Sequence, residues 1–141
     1  MVLRTRGVFI LLNPSSVTFH SQSIKHDSEG RFLIAKVTID DKSFLIVNIY
    51  APIDYRDQDN FIRTLGEQLI SNTNTSNAII AGDWNTTLNP IDKRSGQSWK
   101  ATNYRNFLVS LMDELNLFDM YQQIHPITKS FIYESDRKSV V

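Results

Sequence analysis

Residues 31–50, RFLIAKVTIDDKSFLIVNIY, constrain the fold of this chain more than any other stretch. Two apolar, β-branched runs are separated only by Asp40-Asp41-Lys42. In the first run Leu33, Ala35, Val37 and Ile39 alternate onto one face, the two-residue period of a strand. Asp and Lys supply turn chemistry between the runs, so the segment predicts an antiparallel hairpin. Both runs are nearly continuous in apolar residues, which predicts strands covered on two faces. A sheet built on such a hairpin needs a further layer on each side.

The rest of the sequence supplies candidates for those layers. GVFILL, bounded by Asn13-Pro14, and VTFHSQSI read as strands that precede the hairpin. Arg4 and Arg6 before Val8–Leu12 resemble a signal peptide only faintly; the apolar run is too short, and a core strand is the better reading. In DYRDQDNFIRTLGEQLIS, Phe61, Leu65 and Leu69 recur every four residues, joined by Ile62 and Ile70, with Asp57 or Asp59 as candidate caps. TNYRNFLVSLMDELN carries Tyr104, Phe107, Leu108, Leu111 and Leu115 behind a capping Thr102. NAIIAG between the helices looks like a buried strand, and SFIYES like one more short strand. Strands, helix, strand, helix and strand in that order predict an α/β layered fold with helices outside, in one domain spanning 1–141.

Composition bounds the function classes. With 41% hydrophobic and 21% charged residues, the 141-residue chain falls among globular sequences. Fifteen basic residues balance fifteen acidic ones, so attraction to nucleic acid must come from a local patch and not from net charge. There is no cysteine, which excludes disulfides and thiolate metal sites. No apolar run approaches the ~18 residues of a membrane span, and no membrane partner is expected.

The polar residues that stand out follow two strands. Asn48 and Tyr50 lie two apart at the end of FLIVNIY, and Asp83 and Asn85 have the same spacing after AIIAG. If the two strands are neighbours, Tyr50, Asp83 and Asn85 converge at one end of the sheet. A plainer alternative is that Asn48 ends a strand, Tyr50 packs with its hydroxyl in water, and Asp83 caps a turn. Lys93, Arg94, Lys100 and Arg105 surround Trp99, either as a phosphate-gripping patch with a stacking aromatic or as a solvated loop. His20, His26 and His125 read as structural or solvated, as do Asp92 and Asp119 in their loops.

VNIYAP, followed some thirty residues later by IIAGDWNTTLNPIDKRSG and then by LNLFDMYQQIHP and SFIYES, resembles the endonuclease/exonuclease/phosphatase superfamily. Within it the pattern is similar to the endonuclease domain of LINE-type non-LTR retrotransposons. The resemblance implies a layered β-sandwich with flanking helices. It implies that Asp83 is the catalytic carboxylate and Asn85 the amide that positions the scissile phosphate. Tyr50 would hydrogen-bond a phosphate oxygen, and Asn48 would support its strand on the substrate side. Mg²⁺ is the implied cofactor, DNA the implied partner, and a reverse transcriptase domain the implied neighbour in a polyprotein that acts in the nucleus. The family also places an Asn and a metal-binding Glu before RGV, and an Asp and a Ser-Asp-His after SFIYES. The chain holds neither set, and Ile132 and Gln122 stand where relatives often have Thr and Arg. The resemblance therefore implies a central piece of such a domain, inactive by itself. An apurinic-type repair endonuclease or other phosphoesterase, and a non-catalytic retrotransposon remnant, are the alternatives.

Overall fold

The computed structural model describes residues 2–5, 7–15, 18–72, 77–88, 101–125, 133–134 and 137–138. They form two units, Met1–Asn85 and Thr86–Val141. In the first, β1 (Val2–Thr5) and β2 (Val8–Leu11) make an antiparallel pair. A four-stranded sheet follows, built from β3 (Thr18–His26), β4 (Phe32–Ile39), β5 (Lys42–Tyr50) and β6 (Asn77–Asp83), side by side in that order. Helix α1 (Tyr55–Ile70) connects β5 to β6, and those two strands run parallel. A parallel pair needs such a crossover, because a tight turn can join only antiparallel neighbours.

The predicted hairpin is present in full register, from Phe32 opposite Ile49 to Ile39 opposite Lys42. Asp40 and Asp41 both take positive φ, 47° and 61°. That is the signature of the turn whose twist matches a two-residue hairpin, and short Asp side chains tolerate it. The hairpin is also covered on two faces. Val8, Ile10 and Leu12 from the β2 segment form one buried cluster with Leu33, Ala35 and Val37. On the opposite face Phe32 meets Phe61 of α1, ring centroids 6.4 Å apart. Phe61, Ile62, Leu65 and Leu69 are all buried, as their four-residue spacing predicts. Each such side chain contributes about 1.5–3 kcal/mol through burial.

Several details depart from the sequence-based expectations. Asp54, not Asp57 or Asp59, caps α1: its backbone is extended and its carboxylate accepts the Arg56 N–H. Three Asp residues compete there, and the one just before the first helical residue has the required extended backbone. Ile70 is 40% exposed, because the helix ends there and its last residue turns off the apolar stripe. β6, expected to be buried, is an edge strand among the described residues, with Ile79 52% exposed. An apolar run of that length fits a buried or an edge strand equally, and only the neighbours decide. β3, the other edge, keeps its pairing with β4 through a register shift between Phe19 and Ile24.

The second unit holds α2 (Asn103–Glu114), α3 (Met120–Ile124) and the short pair β7 (Tyr133–Glu134) and β8 (Arg137–Lys138). Thr102 caps α2 by accepting the Arg105 N–H at 3.2 Å, as expected. Tyr104, Leu108 and Leu111 are buried, whereas Phe107 is exposed and Leu115 half-buried, so the apolar stripe is narrower than the spacing suggested. Asp119 caps α3 through the Gln122 N–H. The molecule is thus a mixed α/β protein with a four-stranded sheet and helices. Among the described residues no helix is long and apolar enough to cross a membrane.

Candidate functional site

The parallel register of β5 and β6 decides which polar residues meet. Tyr50 is the partner of Asp83, and Asn48 the partner of Ala81. In a parallel pair such partners stand side by side on one face. Tyr50 and Asp83 therefore sit together at the carboxyl ends of two adjacent strands, the end where open α/β sheets commonly receive ligands. Both are exposed, Tyr50 at 49%.

Gly82 makes this approach possible. Its φ is +132°, and a Cβ there would fall 2.0 Å from the Ile49 carbonyl oxygen and 2.7 Å from the Ile49 nitrogen. Only a residue without a side chain lets the β6 backbone come so near β5. Beyond Gly82 the chain is held by hydrogen bonds. The Ala51 N–H donates to the Asp83 carbonyl at 2.8 Å. The Asn85 N–H donates to Asp83 Oδ1 at 2.9 Å, closing a turn through the side chain. Asn85 takes positive φ, 47°, and its Nδ2 donates to the Ala51 carbonyl at 2.6 Å. Tyr50, Asp83 and Asn85 therefore converge as the spacing predicted, and Asp83 and Asn85 also build the turn that the plainer reading foresaw.

Asn48 lies one step inward on the same face. Its Nδ2 donates to the Phe9 carbonyl of β2 at 2.8 Å, so this amide joins the small sheet to the large one. Lys93, Arg94 and Trp99, together with Asp92, Lys100 and Ile132, lie outside the described residues. Arg105 is described and is not a solvated loop cation. It is 6% exposed, and its Nε donates to the Thr87 carbonyl at 2.6 Å. Burial pushes its pKa down from the ordinary arginine value.

His26 is the last residue of β3; it is exposed, with Nδ1 3.0 Å from the Asp27 carbonyl. His125 ends α3 and leans on Tyr121 with centroids 4.9 Å apart. His20 lies in β3. Gln122, in α3, has its backbone N–H committed to Asp119.

Two features carry no signal that the sequence patterns reveal. Asp27 is buried and pairs with Arg31, whose backbone N–H and Nε both reach its carboxylate at 2.6 Å. The Arg31 guanidinium also lies over the Phe61 ring, 5.5 Å from its centroid. The Arg31 carbonyl accepts the Tyr50 N–H, so this pair braces the same end of the sheet from the β4 side. A DSEGR turn reads as ordinary loop chemistry in sequence. Next to it a polar cavity of about 430 Å³ is lined by Lys25, His26, Glu29, Asn60, Thr64 and Gln68, and by none of Tyr50, Asp83 and Asn85.

As for a metal, no group of three or more His, Cys, Asp or Glu among the described residues could hold an ion. Asp83 supplies one carboxylate, already accepting one hydrogen bond. By themselves, the described residues do not make a magnesium site.

No protein-family model matches the chain. The chain is 26% identical over 104 residues to an uncharacterized 149 kDa protein of transposon TX1 from Xenopus laevis. The match covers 74% of this chain and 8% of that protein, so the chain spans a small part of its relative's length. The sequence is thereby related, distantly, to a transposon-encoded protein.

Proposed function

We propose that the chain carries the phosphate-facing part of a DNA-nicking endonuclease of a non-LTR retrotransposon. The observation that carries this reading is the pairing of Tyr50 with Asp83 at the ends of two parallel strands, with Asn85 folded back onto Ala51. The similarity to a transposon protein supports retrotransposon origin over an apurinic-type repair enzyme. In the reaction, a water oxygen attacks phosphorus, the bond to the 3′ oxygen breaks and that oxygen takes a proton from solvent, leaving a 5′ phosphate and a 3′-hydroxyl. A reverse transcriptase domain of the same polyprotein would extend that hydroxyl.

Asp83 orients the attacking water and takes its proton, a role worth typically 10²–10⁴-fold. The Tyr50 hydroxyl donates to a phosphoryl oxygen as charge builds on it. Asn85 stands beside both with a second amide hydrogen beyond the one given to Ala51. Mg²⁺, when bound, supplies charge neutralisation that neither group provides. Asp83 would offer it one hard oxygen donor.

A second reading has its own observation. Asp83 Oδ1 and the Asn85 amide are committed to the turn, as they would be in a non-catalytic remnant. One experiment separates the two. A longer chain carrying flanking residues of the same reading frame is incubated with supercoiled plasmid and Mg²⁺. The expected result is nicking that EDTA abolishes and that Asp83→Asn lowers at least ~10²-fold. Failure of the parental chain to nick, or full activity of a folded Asp83→Asn variant, overturns the nuclease reading.

A further inference from the structure

We propose that Ile53 and Tyr55 form an apolar contact for an unstacked nucleic-acid base, a few nucleotides from the phosphate that Tyr50 and Asp83 face. The proposal rests on the nuclease reading for where that base lies relative to the cut, while the contact itself is a property of the chain's surface.

Both side chains are large and open to solvent, Ile53 at 75% and Tyr55 at 78%. Single exposed apolar residues are ordinary. These two, however, stand on a segment whose backbone is held on both sides. Ala51 is buried, its N–H bonded to the Asp83 carbonyl and its carbonyl to Asn85 Nδ2. The Pro52 ring fixes its own φ, and its carbonyl accepts Gln58 Nε2 at 3.0 Å. Asp54 caps α1 through the Arg56 N–H, and its carbonyl accepts the Asp57 N–H, both at 3.0 Å. Ile53 and Tyr55, the first residue of α1, are thus displayed from a fixed frame. Little backbone ordering opposes a ligand that packs on them.

This frame leads directly out of the candidate site. Ile53 follows Tyr50 by three residues and Tyr55 follows it by five. Their Cα atoms therefore lie within about 11 Å and about 18 Å of that of Tyr50. At about 3.4 Å per nucleotide, these distances are about three and about five base steps. Charge then selects which part of a nucleic acid the segment meets. From Ile53 to Asp57 two aspartates stand against one arginine. Arg56 commits its Nε and Nη2 to Asp54. A phosphate is repelled there, whereas a base offers an uncharged face that stacks on an aromatic ring. Isoleucine is among the side chains that proteins insert between base steps to unstack them.

Three measurements test the proposal. The 141-residue chain is titrated with a short single-stranded oligonucleotide, and with an abasic one of the same length, while the Tyr55 ring and Ile53 methyl resonances are followed. The oligonucleotide with bases should shift both signals and the abasic one neither. Equal shifts from the two, or no shift from either, overturn the proposal. Tyr55→Ala should weaken oligonucleotide binding about 5- to 100-fold and leave the salt dependence of affinity unchanged. Tyr55→Phe keeps the ring and should bind as the parental chain does. Loss of affinity in Tyr55→Phe, or a shallower salt slope in Tyr55→Ala, makes the contact polar or electrostatic and overturns the proposal. In the longer chain, nick positions on plasmid are mapped by sequencing. Joint Ile53→Ser and Tyr55→Ser should reduce base preference within about five nucleotides of the cut at least ~10-fold. Unchanged preference overturns the placement beside the cut. Unchanged oligonucleotide binding with weaker association to a separately expressed downstream part of the polyprotein makes the pair a protein interface, which also overturns it. Absence of nicking by the parental longer chain sinks the nuclease reading, whereas an equal response to the abasic oligonucleotide sinks the base contact alone.

Discussion

β4 and β6 belong to one sheet yet are held in place by opposite means. β4 has a strand on either side, the Val8–Leu12 cluster on one face and α1 on the other, and Phe32, Leu33, Ile34 and Ala35 are all essentially inaccessible. Among the described residues β6 has one strand neighbour, and along it exposed and half-buried residues alternate until Ala81, Gly82 and Asp83 are all exposed. Burial fixes the first. A glycine contact and a few hydrogen bonds around Ala51 fix the end of the second. The polar residues with chemical promise sit at the weakly buried end, so their geometry depends on directional bonds and not on packing. That division makes the covered hairpin a stability element and the β6 end a precision element.

The largest expected effect lies on the covered side. Phe61→Ala removes the ring that meets Phe32 and lies beneath the Arg31 guanidinium. A loss of about 3–5 kcal/mol is expected in chemical denaturation. A loss below about 1 kcal/mol would show that α1 does not cover the sheet as described. Next is Gly82→Ala, which brings a Cβ to 2.0 Å from the Ile49 carbonyl in a backbone conformation hostile to side chains. Because the clash is with backbone, about 3 kcal/mol or more is expected, at the top of the usual range for one substitution. If Gly82→Ala unfolds with the parental midpoint, β6 does not approach β5 this closely, and the edge strand is less constrained than its partner distances indicate.

Asp83→Asn sharpens the contrast from the other direction. Asn retains an oxygen for the Asn85 N–H and has the same shape, so stability should change by no more than about 0.5 kcal/mol. Nicking by the longer chain should nevertheless fall at least ~10²-fold. Tyr50→Phe, which removes one hydroxyl, should cost less in the same assay. A variant that loses stability and rate together would mean that the precision of the β6 end is inseparable from its folding.

How much of this is visible in the sequence follows the same division. The hairpin, its turn at Asp40-Asp41, the α1 stripe and the Thr102 cap are all written in local periodicity and turn chemistry. The meeting of Tyr50 with Asp83 is also legible, given neighbouring strands, because matched spacing at two strand ends puts both on one face. What periodicity cannot supply is who stands on the far side of a strand: NAIIAG reads the same with one neighbour or two. Nor does it disclose long-range polar bonds such as Asn48 to Phe9, Asn85 to Ala51 and Arg105 to Thr87, whose partners are backbone carbonyls that any residue provides. β1 leaves no sequence signature for a related reason, since a four-residue strand has too few alternations to register.

The smallest expected effect concerns the cap that links the two regions, Asp54 at the start of the helix between β5 and β6. Its side-chain hydrogen bond with Arg56, followed by the bond from the Arg56 backbone N–H, holds the carboxyl below its usual 3.8, and the same pair raises Arg56. Both groups are exposed, so solvent screens the pair and the contribution to stability is modest. The sign is nevertheless fixed. A carboxyl whose pKa is lower in the folded chain than in the unfolded one stabilises the fold above the unfolded value, and that increment disappears as pH falls through the folded value. The thermal midpoint of the parental chain should therefore carry a small extra loss on acidification from about pH 5 to below about pH 3. Asp54→Asn caps the helix without a titratable charge. The difference between parental and variant midpoints should accordingly shrink over that window and be constant above it. Parallel pH profiles throughout would show that the Asp54–Arg56 pair adds nothing to the folded state, and that α1 is anchored by its buried face alone.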